Sequence, residues 1–423
     1  MTSPDCLLTA ARVVTGSAVH APGWARVSGD RVIAVGSGVP DDDDARLLHR
    51  VDLGEATIVP GFVDIHVHGG GGSSYPDSGA GDGVTPAKRA RAAHLAHGTT
   101  RSMASLVAAT PERLLAQVAA LAPLVADGEL GGIHVEGPWL SAGRAGAHDP
   151  AVLRAPDSAE VADLLDAGRS GTDGRTAIAV VTIAPELPGA IAAIEQFVAA
   201  GVRVGIGHTD ADAACTRRAI DAGATLATHL FNAMPPLHHR QPGPVLALMH
   251  DPRVTLELVA DGIHLAPELA RWVVASAGAQ RVALVTDAMA AAGQGDGDYR
   301  LGGLDVAVRD GVARLRGETG GIGAIAGSTA TMDRLFRSWI LGDGDGDGDG
   351  DNDAADNASE PPSDARWSEA VRVTATTPAR AVGWVDSGDL ATGMRADLVV
   401  LDPAVRVQRV MRGGAWVADH PTT

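Results

Sequence analysis

Short apolar runs rich in β-branched residues recur through the middle of the chain and alternate with Ala- and Leu-rich stretches of helical spacing. The runs at Phe62 to His66, Thr100 to Leu106, Gly132 to Glu136, Ile178 to Ile183, Val202 to His208, Thr225 to His229, Val254 to Asp261 and Arg281 to Asp287 predict strands. Between them, Pro86 to His97, Pro111 to Val125, Ala190 to Ala200, Ala211 to Ala222 and Pro267 to Ala277 predict helices. Strand and helix in turn make a parallel sheet of βα units, and eight such strands close into a (β/α)8 barrel.

The flanks follow a different pattern. Residues 1–58 hold strand-like runs such as Ala11 to Val14 and Arg31 to Val35 between Gly, Pro and Asp turns, and residues 386–423 are again strand-rich. Each set is too small to fold alone, so the two are expected to pair into one small β-sandwich domain beside a barrel spanning 59–385. Past the eighth strand, Leu301 to Leu315 predicts a hairpin turning at Arg309-Asp310-Gly311. Residues 342–364 form a Gly-Asp tract with nine acids and no base, expected to be a disordered surface insert.

Composition narrows the partners. The chain of 423 residues carries 34 Lys+Arg against 52 Asp+Glu, a formal charge of −18, which argues against a binder of nucleic acid or anionic membranes. Half of that excess lies in the Gly-Asp tract. Lys88 is the only lysine, which leaves no Walker-type loop, and its place in the first turn of a helix reads as a surface charge. Two cysteines, Cys6 and Cys215, cannot build a disulfide framework, and the start of the chain lacks the basic and apolar regions of a secretory signal. A cytoplasmic protein is expected.

A barrel of this kind works at the C-terminal ends of its strands, and several of these end in ligand-type residues. Strand one ends in His66-Val-His68, strand three in Glu136, strand five in His208, strand six in His229 and strand eight in Asp287. An isolated strand-end histidine is commonly a packing residue, but these converge on one mouth. Imidazole and carboxylate without thiolate suit zinc or iron in a hydrolytic site, where a divalent ion lowers the pKa of water from about 15.7 toward about 7. Asp287 is the acid placed to take the water's proton and hand it to a leaving amine.

The strings Pro60-Gly-Phe-Val-Asp-Ile-His-Val-His68, His134-Val-Glu-Gly-Pro-Trp-Leu140, Gly207-His-Thr209, Thr228-His-Leu-Phe-Asn-Ala-Met-Pro235, Asp261-Gly-Ile-His264, Thr286-Asp-Ala288 and Ala326-Gly-Ser328 fall in a telling order. In that order the chain resembles the N-acetylglucosamine-6-phosphate deacetylases of the amidohydrolase superfamily over nearly its whole length. The resemblance implies that Glu136, His208 and His229 hold the main metal and that Asp287 is the general base and acid. It also implies that Ala147 and His148 contact the sugar or its amide. Asn232, Ala233, Arg240, the turn ending in His264, and the loop Ile325, Ala326, Gly327 and Ser328 would hold the phosphate.

Arg240 offers a planar fork for phosphate and, in the homodimer that the resemblance implies, would reach the neighbouring subunit's site. His66 and His68 would support a second metal bridged by Glu136, since no lysine stands at a strand end to be carboxylated. One or two ions per subunit stay open, and so does the ion: zinc leads, with iron, cobalt and manganese as alternatives. The implied reaction converts N-acetylglucosamine 6-phosphate, a small phosphorylated amino sugar, to glucosamine 6-phosphate and acetate in amino-sugar catabolism and cell-wall recycling. The galactosamine epimer or another N-acyl compound is an alternative substrate. An inactive scaffold is a further alternative, although no metal ligand is lost.

Overall fold

The protein is described by a computed structural model over residues 5–40, 49–79, 81–169, 174–317, 322–342 and 361–417. Most of the Gly-Asp insert, 343–360, lies outside the described residues, as do residues 1–4.

Eight parallel strands form the barrel: β1 (Phe62–Asp64), β2 (Thr99–Leu106), β3 (Gly132–Glu136), β4 (Ile178–Ile183), β5 (Arg203–Ile206), β6 (Leu226–Ala227), β7 (Thr255–Leu258) and β8 (Val282–Leu284). They are hydrogen-bonded in sequence order. The ring closes just past the strand ends, where Asp287 N–H donates to the His66 carbonyl at 2.9 Å and His68 N–H to the Ala288 carbonyl at 2.8 Å. Closure therefore occurs at the residues expected to carry the chemistry.

One helix follows each strand: α1 (Thr85–Ala96), α2 (Pro111–Ala126), α3 (Ser158–Ala167), α4 (Ala190–Ala199), α5 (Ala213–Asp221), α6 (Gly243–His250), α7 (Pro267–Ala277) and α8 (Met332–Leu341). Local chemistry explains their starts. Asp157 and Asp212 accept backbone N–H groups at the first turns of α3 and α5, and Thr110 caps α2, whose first residue is Pro111. Sequence periodicity finds α1, α2, α4, α5 and α7 but passes over α3, α6 and α8. The reason is clear for α6, which is short and apolar on nearly every side.

Period-two alternation sorts the strand side chains. Ile133 and Val135 of β3 pack outward in the main core with the helices, while His134 and Glu136 point into the barrel. Below the mouth, Val63, Met103, Val180, Leu226 and Ala283 pack against Ala379 and Trp384, so side chains fill the floor of the barrel. Lys88 sits on the surface, 3.8 Å from Glu129.

The two ends of the chain do combine. Thr57–Pro60 pairs antiparallel with Leu398–Leu401 inside a six-stranded sheet, and a four-stranded sheet of N-terminal strands lies against it over a shared core that includes Leu8, Val27, Ile58, Leu398 and Val400. Past β8 the expected hairpin pairs Leu304–Arg309 with Val312–Arg316, its Asp310-Gly311 turn at φ 51° and 72°. The hairpin proves to be the middle of a four-stranded antiparallel sheet that also takes in Gly297–Leu301 and Ile322–Ile325.

Candidate active site

Five strands are shorter than their apolar runs suggest, because the chain leaves β geometry where it delivers its polar residues. His208, His229 and Asp287 have φ of 48°, 29° and 49°, the left-handed region that side chains with a Cβ rarely adopt. Strain of this kind persists only where the surroundings enforce it, and it collects at functional sites. After β3 the enforcement is visible. Trp139 is fully buried, its ring 5.4 Å from that of Phe197 on α4, and Ser141 N–H donates to the His208 carbonyl.

The six strand-end residues meet in two groups that share one acid. Oε1 of Glu136 lies 3.2 Å from His208 Nε2 and 3.0 Å from His229 Nε2. Its Oε2 lies 3.1 Å from His68 Nε2 and 3.5 Å from His66 Nε2. Asp287 Oδ1 completes the second group, 3.3 Å from His68 and 3.5 Å from His66.

The outer ring nitrogens decide what those inner atoms are. His68 Nδ1 faces the Ser105 carbonyl at 3.2 Å and His208 Nδ1 the Arg144 carbonyl at 2.8 Å. A carbonyl only accepts, so each proton sits on Nδ1 and each Nε2 presents a lone pair. His66 Nδ1 is likewise directed at the Glu257 carboxylate, 3.3 Å away. The Nε2 atoms of His66 and His68, 3.2 Å apart, thus face each other and two carboxylates, and in the neutral rings they meet them as lone pairs. Acceptors gathered this closely call for a cation, and the nitrogen and oxygen donors fit a divalent metal.

Burial lowers His66 and His68, but the facing carboxylates of Glu136 and Asp287 outweigh it and raise both above the ordinary histidine range. Burial alone would raise the carboxyls of Glu136 and Asp287, but the facing imidazoles outweigh it and hold both well below the usual range. Burial lowers His148, favouring a neutral ring. Its Nδ1 accepts from Ala108 N–H at 3.1 Å, which leaves the proton on Nε2, 3.4 Å from Glu136. His264 loses affinity for its proton on burial and regains more from Asp261, 2.8 Å away, so it titrates above the ordinary histidine range.

A cavity of about 350 Å³ opens over the cluster. Ala147, His148, Asn232, Ala233, His264, Ile325 and Gly327 line it together with Glu136, His208, His229, His68 and Asp287. Ala326 and Ser328 do not line it. Ser328 holds the Asp287 turn from behind, its N–H donating to the Asp287 carbonyl and its hydroxyl to the Thr286 carbonyl. Arg240 is exposed and stands apart from its own chain's cavity.

Two residues that sequence reasoning passed over belong here. Arg144 lines the cavity, ion-paired to Asp210 at 2.7 Å, and carried no signal because the single 3₁₀ turn it ends, Ala142–Arg144, is too short for a period. Glu257 carried one: an acid between Leu256 and Leu258 in the middle of a buried strand.

Among known proteins, the amidohydrolase family model matches residues 57–417. The N-acetylglucosamine-6-phosphate deacetylase of Mus musculus is 33% identical over 386 residues, covering 87% of this chain and 86% of that protein. An N-acetylgalactosamine-6-phosphate deacetylase of Escherichia coli O157:H7 is also 33% identical, covering 84% of this chain and 85% of its own. Among solved structures, N-acetyl-D-glucosamine-6-phosphate deacetylase from Mycobacterium smegmatis, a mutant in complex with N-acetyl-D-glucosamine-6-phosphate, superposes with a TM-score of 0.86. It is 48% identical, with 98% of this chain and 99% of that one covered. With its barrel, its shared acid and these relatives, the chain belongs to the amidohydrolase family, within the N-acetylglucosamine-6-phosphate deacetylases.

Proposed function

We propose that the protein hydrolyses the acetamide of N-acetyl-D-glucosamine 6-phosphate to D-glucosamine 6-phosphate and acetate. The observation that carries this reading is the position of Asp287, an acid that both joins the metal-ligand cluster and lines the cavity. Glu136, His208 and His229 would hold one divalent ion and His66, His68 and Asp287 a second, with Glu136 between them; zinc is the first choice. A cation there acidifies the attacking water and polarises the acetyl carbonyl.

The chain's own residues do the rest. Asp287 takes one of the water's protons as the new O–C bond forms and returns it to the nitrogen as the C–N bond breaks, so the amine leaves neutral and the acetic acid gives its remaining proton to solvent, ending as acetate. His148 directs its Nε2 proton into the cavity and donates to an oxygen of the substrate's amide or sugar. Asn232, Ala233, His264 and the loop at Ile325 and Gly327 form the wall assigned to the sugar and its phosphate. His264 supplies positive charge to that phosphate. Arg240 is assigned to the site of a second subunit in a homodimer, in keeping with its exposure.

The E. coli O157:H7 relative gives the galactosamine epimer a place as second reading. Incubating purified, metal-loaded protein with N-acetylglucosamine 6-phosphate tests the proposal: acetate and free amine are expected in equal amounts. Turnover of the galactosamine substrate alone would establish the second reading, and no turnover of either would contradict both.

A further inference from the structure

Glu257 lies midway along β7, on a strand that contributes nothing to the ligand cluster. Its side chain is buried, with 1% of its surface exposed. One oxygen, Oε2, meets His66 Nδ1 at 3.3 Å; the other, Oε1, is buried without a hydrogen-bond partner. A carboxylate in that position is expensive. It gives up its hydration for one imidazole N–H and half of its acceptor capacity stays unused.

The histidines of the cluster differ in what stands behind them. His68 and His208 rest on the neutral backbone carbonyls of Ser105 and Arg144, and His229 Nδ1 is buried without a partner. Only His66 is backed by a charged group. A carboxylate behind an imidazole fixes its tautomer and raises the basicity of the opposite nitrogen, and the cost of burying that carboxylate is offset when a cation sits on the imidazole's far side.

We infer that Glu257 is the positioning residue that turns the His66, His68 and Asp287 group into a tight cation site, and that losing its charge weakens the ion there while sparing the one held by Glu136, His208 and His229. This rests on the metal-dependent reading of the site. It concerns how many ions bind, a property measurable without substrate.

The test is calorimetric titration of metal-free protein with Co²⁺ alone, together with elemental analysis after gel filtration. The wild type should take up two equivalents per chain. Glu257→Gln preserves shape and can still accept the His66 N–H, so it isolates the charge; its first equivalent should bind as in the wild type and its second at least about 10-fold more weakly. Glu257→Leu should retain a single equivalent. A Glu257→Gln protein that binds the second ion with wild-type affinity overturns the inference whether or not Glu257→Leu folds. So does a wild type that takes up one equivalent only. A wild type that takes up none contradicts the metal reading itself, which separates the two failures.

Discussion

Oε1 of Glu136 stands 3.0 Å from Nε2 of His229 while the second oxygen of the same carboxylate faces His68. One acid therefore serves both groups of histidines, and losing it should disable both. In Glu136→Gln the side chain keeps its volume, but an N–H₂ group replaces one acceptor. Metal affinity is expected to fall by at least about 100-fold, beyond the loss typical of residues behind the ligands. Elemental analysis after dialysis reads this directly, and two retained ions would show that Glu136 is not the shared ligand.

Asp287 carries a different burden, because it lines the cavity as well as the cluster. For Asp287→Asn we expect a folded protein that still binds at least one ion at Glu136, His208 and His229, with kcat lower by at least about 10²-fold. Single-turnover kinetics separate the proton-transfer step from substrate binding. A kcat close to wild type would take Asp287 out of the reaction.

In the proposed function His264 is the positively charged partner of the substrate's phosphate. A hydrogen bond to a charged group contributes roughly 1.5–3 kcal/mol, so His264→Ala should lower kcat/KM for the phosphorylated sugar by about 10- to 100-fold and leave the unphosphorylated sugar almost unaffected. An equal loss on both substrates would place His264 elsewhere than at the phosphate.

Stability toward acid should depend on His94, which is fully buried on α1 and donates from Nε2 to the Gly69 carbonyl at 2.8 Å. Burial pushes its pKa down to about 4 from the ordinary 6.5. Between those values the unfolded chain holds a proton that the folded chain does not, so stability falls as pH falls from about 6.5 toward about 4. From pH 7 to pH 5 this amounts to about 2 kcal/mol. Urea unfolding of wild type and His94→Gln at both pH values isolates the contribution: the variant should lose less stability on acidification, and parallel losses would count against it.

Much of this was legible in the order of residues. Eight apolar runs announce the barrel because each strand is buried on both sides, and the ligands stand where those runs stop. Their division into two groups across Glu136 came from the resemblance; the geometry behind it was not legible. It depends on which oxygen of Glu136 faces which imidazole, and that follows from the left-handed turns at His208, His229 and Asp287, which the apolar pattern hides by making the strands look longer than they are. Arg144 was silent because a three-residue 3₁₀ turn shows no period. Arg240, a suitable arginine in a suitable motif, is exposed and does not line the cavity of its own chain.

The most direct measurement is kcat/KM of the metal-loaded protein for N-acetylglucosamine 6-phosphate, set beside unphosphorylated N-acetylglucosamine and N-acetylgalactosamine 6-phosphate, before and after chelation. The phosphorylated glucosamine substrate should be turned over fastest, removing its phosphate should cost at least about 10-fold, and chelation should abolish activity until a divalent ion is restored. Undiminished turnover in the chelated protein, or equal turnover with and without the phosphate, would contradict the proposed function.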